Sequence, residues 1–276
     1  MPFAAFALAF SSAFVHALWN MLLARARDSE AATAVALIAG TVVFAPVAAL
    51  TWHLDSGVWP YLAASAALEV LYFALLAAAY DSGELSLVYP IARGSAPVLV
   101  AVFSVVLLAT VLHALTVLGV LLVAAGVLLV RGVTPLQAGD SRHVLFALAI
   151  GATIAAYTLF DKAGLHHAKP LTYLELVVLP AAILYPLWIS RRKSLRAELR
   201  PGALLAGIAM FGAFGLALAA IRLAPQAFVP GVQALRETSV VIAVAAGALF
   251  LGERVSPMRI AGTVVVLAGV IALALT

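Results

Sequence analysis

The chain reads as an all-α membrane protein: ten transmembrane helices arranged as two inverted five-helix repeats. Three observations carry this. Apolar residues make up 65% of the 276 positions and charged residues only 10%. A soluble domain carries roughly 25% charged residues, so this chain cannot cover itself in water. The chain also repeats itself. Shifting the C-terminal half by 143 positions lays Arg236 on Arg93, Gly262 on Gly119 and Gly269 on Gly126. A shift of 141 lays Thr153, Tyr157, Phe160 and Asp161 on Ser12, His16, Trp19 and Asn20. Finally, the apolar stretches number five on each side of one polar connection. An odd number of spans per repeat makes the second repeat enter from the opposite side, the usual build of a secondary transporter.

A span needs about 20 mainly apolar residues. The first, 3–24, lacks a positive leader and reads as a retained span, not a cleaved signal. Spans 2 to 5 follow at 31–52, 60–81, 85–109 and 111–130. The connection Asp81–Glu84 is so short that spans 3 and 4 must be antiparallel neighbours. Residues 131–143, with Gly132, Pro135, Gly139 and Asp140, form the linker between repeats 1–130 and 144–276. Spans 6 to 10 are read at 144–164, 170–190, 201–222, 226–251 and 255–275, with a tight turn at Leu223–Gln226.

Net charge is +4, but the basic residues cluster at span ends, which suits lipid headgroups and not nucleic acid. Cysteine is absent, so disulfides and thiol-ligated metals are excluded, and no cofactor or metal site is expected. One face of the membrane holds Arg25, Arg27, Arg131, Arg142, Arg191, Arg192, Lys193, Arg196, Arg200, Arg254 and Arg259; the other holds Lys162, Lys169 and Arg222. Eleven against three places the first face in the cytoplasm and both termini outside.

Few charged residues lie well inside a span: Glu69, Arg93, Glu175, Arg236 and Glu237, with Asp161 near an end. A charge at mid-membrane costs at least about 2.5–3.5 kcal/mol, so these side chains are expected to face a polar interior and to pair. Helical spacing puts Ser65, Glu69 and Tyr72 on one stripe of span 3, and Ser12, His16, Trp19 and Asn20 on one side of span 1. Span 6 repeats the latter with Thr153, Tyr157, Phe160 and Asp161; span 9 groups Gln233, Arg236 and Glu237. The arginines either line a cavity or form structural ion pairs with Glu69 or Glu237. Trp19 and Phe160 serve a cavity or an interfacial aromatic belt equally well, and His16 reads first as hydrogen-bonded structure. Span 4 packs Tyr89, Pro90, Arg93, Gly94 and Pro97 into nine residues, and span 9 carries Pro230 and Gly231. Both are expected to kink and to free carbonyls toward a watery interior. Gly119 with Gly126, and Gly262 with Gly269, share helix faces and predict close helix packing.

At these residues the chain resembles the drug/metabolite transporter superfamily, specifically EamA-type ten-span transporters. The resemblance rests on two similar halves and on the segment Ala79-Tyr80-Asp81-Ser82-Gly83-Glu84-Leu85-Ser86-Leu87-Val88-Tyr89-Pro90. It rests also on Leu251-Gly252-Glu253-Arg254, and on His16-Ala17-Leu18-Trp19-Asn20, which is similar to one bacterial branch. It departs at Leu108-Ala109-Thr110-Val111, where the family often has Leu-Gly-Glu-Arg. The resemblance implies small-metabolite transport across a bacterial inner membrane, with both termini in the cytoplasm, against the charge count.

The expected function is therefore a secondary transporter, an exporter by preference, working by alternating access as a monomer in membrane lipid. The substrate-binding set is His16, Trp19, Asn20, Glu69, Tyr72, Tyr89, Arg93, Tyr157, Phe160, Asp161, Gln233, Arg236 and Glu237. Arginines suit a carboxylate or phosphate; Glu69 and Glu237 suit an ammonium group or a coupling proton. A zwitterion such as an amino acid satisfies both. The rival substrate is a cationic amphiphile held by Glu69 and aromatic faces. An intramembrane enzyme is disfavoured because no HExxH, Gly-x-Ser-x-Gly or GxxxxGK motif is present. The charge count is open to test: a cysteine at Ser194 of this cysteine-free chain should react with an impermeant thiol reagent only after the membrane is permeabilised. Labelling of intact cells would place that loop outside.

Overall fold

A computed structural model describes residues 1–81, 85–132, 141–251 and 255–276. The turn 82–84, most of the linker between repeats and the acidic turn 252–254 lie outside the described residues, as does Arg254 in the charge count. The helices are α1 (Phe3–Ala24), α2 (Ser29–Leu50), α3 (Trp59–Asp81), α4 (Leu85–Leu108), α5 (Ala114–Arg131), α6 (Ser141–Gly164), α7 (Pro170–Ile189), α8 (Pro201–Leu223), α9 (Val229–Glu237), α10 (Ser239–Leu251) and α11 (Pro257–Ala274). Among the described residues nine segments are long and apolar enough to cross a membrane, and Ala114–Val130 is a shorter apolar helix. The β-structure in this set is an isolated bridge between Leu54 and Ala168. In lipid every backbone group must be satisfied within the protein, which selects helices. Their starts are prepared locally. Asp28 accepts the Glu30 and Ala31 amides at 3.0 Å, and proline opens α7, α8 and α11 where its missing donor costs nothing.

The ninth span is two helices. The sequence predicts a kink at Pro230 and Gly231, but that proline sits in the first turn of α9, where its nitrogen has no intrahelical partner to lose. The break falls at Thr238 instead. Its hydroxyl and its amide both donate to the Leu235 carbonyl, at 2.7 and 3.1 Å, tightening the turn. The fourth span differs again: α4 is assigned as one continuous helix through Pro90 and Pro97.

Packing between the halves follows their repeat. Helix α1 packs on α8 as α3 packs on α6; α2 packs on α8 as α3 packs on α7; α4 packs on α6 as α9 packs on α1. The pairs α2–α7, α4–α9 and α5–α11 are each their own counterpart. This network maps onto itself when the halves are exchanged. The same exchange relates two straps at opposite ends. At one, Lys193 pairs with Asp28 at 3.0 Å and with Glu30, and Glu198 accepts the Asp28 amide at 3.2 Å. Burial alone would raise the Asp28 carboxyl, but the Ala31 amide and Lys193 hold it below its ordinary value. At the other end the Asp55 amide donates to His167 O at 2.8 Å and Lys169 to His53 O at 3.3 Å.

Helices α5 and α11 touch through their glycines, as the spacing predicts. A Cβ placed on Gly126 would lie 2.8 Å from Gly262 O, and one on Gly119 would lie 3.0 Å from Gly269 O. The side chains of Leu273 and Val266 stand there as well, at 2.6 Å, but the backbone atoms beside them cannot yield. Gly126→Leu should therefore destabilise the protein by at least about 1–3 kcal/mol, read as a lowered melting temperature in detergent. Gly202→Ala is the control, because a Cβ there meets nothing within 4 Å.

Candidate functional site

A cavity of about 690 Å³ enters the bundle between the halves, within the range of small-molecule sites. Its lining includes the last turns of α1, the first turns of α2 and the start of α11, so its mouth lies on the face that carries the Arg191–Arg200 loop. Of the residues predicted from sequence, His16, Trp19, Asn20, Tyr72, Tyr89, Arg93 and Tyr157 line it. Helix α1 brings the first three because Asn20 lies one turn beyond His16; its amide returns to His16 O at 2.8 Å and its Oδ1 accepts the Tyr89 hydroxyl at 3.4 Å. His16 meets the Trp19 ring edge-on at 4.8 Å, and Tyr72 meets Tyr157 likewise at 6.4 Å.

Arg93 is the charged residue deep in the wall, and Arg259 stands at the mouth. Its Nε lies 3.0 Å from Glu237 Oε2 and its Nη2 lies 2.6 Å from His16 Nε2. A guanidinium only donates, so His16 Nε2 accepts and the neutral ring carries its proton on Nδ1. The aromatic face of Tyr89 lies 5.9 Å from the Arg93 guanidinium. The pair Arg93–Glu237 joins α4 of the first half to α9 of the second. Its partners make it both a structural ion pair and a cavity group, so the two sequence readings hold together for this residue.

Arg236 behaves differently from its repeat-mate. It donates to Gln233 Oε1 at 3.1 Å and stacks on Phe214 at 5.3 Å, and it lines not the open cavity but a second, small chamber of about 20 Å³. Glu69 and Asp161 line that chamber too, with Tyr157, Tyr173 and Phe214. Tyr157 and Phe214 line both spaces and form the partition between them. Asp161 Oδ1 takes a short hydrogen bond from Ser65. Toward the end opposite the mouth, Lys162 follows Asp161 and its ammonium caps α8 through Ile221 O at 3.0 Å and Ala224 O at 2.7 Å.

Three predicted residues do not line either space. Gln233 and Glu237 are fully buried behind the wall and act through their neighbours. Phe160 is 39% exposed on the outside of α6: it stands about 60° around the helix from Tyr157, on the flank away from Asp161. The repeat register alone did not see this. Residues the sequence reading missed include Phe73, Met210, Phe214, Val240 and Arg259 in the cavity, and Tyr173 in the chamber. Phe214 had a signal, since it stands 142 positions after Tyr72, between the two repeat shifts. Arg259 was counted only as a loop charge. The remaining apolar residues carry no signal that separates cavity from core.

The profile of the EamA-like transporter family matches residues 3–132 and again 141–275, which is nearly the whole chain in two repeats. No curated protein sequence matches. A solved structure described as "Crystal structure of protein" superposes with a TM-score of 0.78 at 15% identity, covering 98% of this chain and 95% of that one. That likeness shows a shared fold. With ten apolar segments among the described residues, in two matching halves around a central cavity, this multi-pass membrane protein belongs to the EamA-like transporter family.

Proposed function

We propose that the cavity binds a small metabolite carrying a carboxylate or similar anionic group, first of all an amino acid or related zwitterion, and that the protein moves it by alternating access. The observation that carries this is Arg93 in the cavity wall among Tyr72, Tyr89, Trp19 and Tyr157, with no acidic side chain among the described lining residues. A cationic amphiphile finds aromatic faces there but also the Arg93 charge, which disfavours it. A zwitterion sets its carboxylate on Arg93 and its ammonium against the hydroxyl and amide oxygens of Tyr89 and Asn20. The protein acts as a monomer in a bacterial inner membrane. With the Arg191–Arg200 face assigned to the cytoplasm by its charge excess, the open cavity loads from the cytoplasm, which suits export.

The test is a thermal-shift panel of L-leucine, L-phenylalanine, benzoate and tetraphenylphosphonium on purified protein, followed by counterflow in liposomes. Ligands that bind the native state raise its melting temperature. The zwitterions or the anion should do so and the cation should not; a shift by the cation alone would reverse the substrate reading. Arg93→Lys should weaken the best ligand about tenfold or more, because a point charge does not reproduce the planar fork. Arg236→Lys should leave affinity within a few-fold, since Arg236 faces the other chamber. Arg93→Met strands the Glu237 carboxylate and should cost about 3–5 kcal/mol of stability, much of it restored by adding Glu237→Gln. Equal stability of the single and double variants would mean that the ion pair holds nothing together.

A further inference from the structure

The small chamber is the polar space that substrate binding leaves unused. Its size admits a water molecule and no metabolite. Glu69, only 5% exposed, lines it, and its Oε2 has no hydrogen-bond partner among the described residues. Asp161 lines the same chamber from the facing helix and holds the Ser65 hydroxyl on its other side. The groups presented by the surrounding elements are few. From α6 come Tyr157 and Asp161, from α7 Tyr173, from α9 Arg236, and from α8 only Phe214, Ala217, Leu218 and Ile221. Lys162, next to Asp161, directs its ammonium to the α8 carbonyls. The Glu237 charge is matched by Arg93. One guanidinium therefore faces two carboxyl groups. In a buried volume that leaves one negative charge in excess, and two close carboxylates do not both stay ionised at such a site. One proton closes the balance and gives the bare Glu69 oxygen its missing hydrogen.

We propose that Glu69 and Asp161 share one exchangeable proton, and that this chamber is the coupling site of a proton-linked transport cycle. The step is the protonation of a carboxylate and its reversal; no other bond changes. Opening of the end at Lys162 admits a proton from the α8–α9 side, and the same proton leaves once the partition of Tyr157 and Phe214 parts toward the mouth. Coupling to substrate runs through the end of α9. Arg236 faces the chamber, and the next residue, Glu237, holds Arg93 at the substrate wall. The coupling half of the proposal rests on the reading of the large cavity as the substrate site.

Two measurements on the full chain separate the proposal from that reading. Infrared difference spectra on a pH change require no ligand. Wild type should show a protonated carboxyl band at neutral pH, and Glu69→Gln and Asp161→Asn should each remove it on a Glu175→Gln background, which takes away another buried carboxyl with an oxygen unpartnered among the described residues, because either leaves one carboxylate matched to Arg236. No such band, or a band removed by only one of the two, overturns the shared proton. In liposomes, a pH gradient should drive radiolabelled L-leucine or L-phenylalanine several-fold past equilibrium. Glu69→Gln should reduce that ratio to one while keeping counterflow, and Glu69→Asp should retain coupling with a shifted pH midpoint, which also guards against a misfolded variant. Accumulation that survives in Glu69→Gln, or that a sodium gradient drives in place of the pH gradient, overturns proton coupling here. An intact band with no counterflow of any probe strikes the substrate reading and leaves the proton site standing.

Discussion

The bundle is organised around one buried ion pair, Arg93 with Glu237, that crosses from one half to the other. Neither partner is tolerable alone at that depth: a lone charge in the low-dielectric interior costs several kcal/mol. The pair therefore obliges α4 and α9 to meet, and with them the two repeats. Arg93 then has its Nε and one Nη committed, to Glu237 and His16, while the side chain still borders the cavity. A group held so firmly is preorganised for a planar anion, and little ordering remains for binding to require.

The repeat explains where the symmetry is strict and where it is not. Backbone contacts keep it: Gly119 against Gly269 is the image of Gly262 against Gly126. The buried cations keep it as well, since Arg93 and Arg236 are repeat-mates. The acids do not. Glu237 falls on Gly94, Asp161 on Asn20, and Glu69 on no acidic residue in either register. Two equivalent arginines with inequivalent carboxyl partners produce two different compartments, one open and lined by aromatic rings, one small and acidic.

Much of this was legible in the sequence because it depends on residue types that are expensive in lipid. Matched arginines, matched glycines and five-plus-five spans needed no coordinates, since their periodicity and cost fix them. Part of the candidate site was legible: His16, Asn20 and Arg93 line the cavity where helical spacing and the cost of a buried charge single them out. The sequence failed where sterics or geometry decide. Phe160 occupies the repeat position of Trp19 but sits on the outer flank of α6, a rotation that offset arithmetic does not contain. The proline signal pointed to a kink at Pro230, yet a proline in the first turn of a helix removes no hydrogen bond. The interruption falls at Thr238, whose hydroxyl and amide both bond the Leu235 carbonyl, and nothing in composition marks that threonine from the others.

That misplaced break matters for how the two compartments communicate. Ending α9 at Glu237 puts Arg236 and Glu237, successive residues, at the last turn of a short helix. Successive side chains point about 100° apart, so Arg236 lines the acidic chamber and Glu237, behind the cavity wall, pairs with Arg93. A continuous helix would fix both to the rigid body of a full span. A helix that ends there couples the two compartments through one turn, because a displacement of that end would move both residues at once. The ion pair between Glu237 and Arg93 holds that turn against the cavity wall, and on the proposed function a substrate anion would compete with Glu237 for the guanidinium. On the proposed function and the proposed proton site, substrate occupancy and the charge of the chamber would act on the same turn of helix, which is the physical condition for one to drive the other.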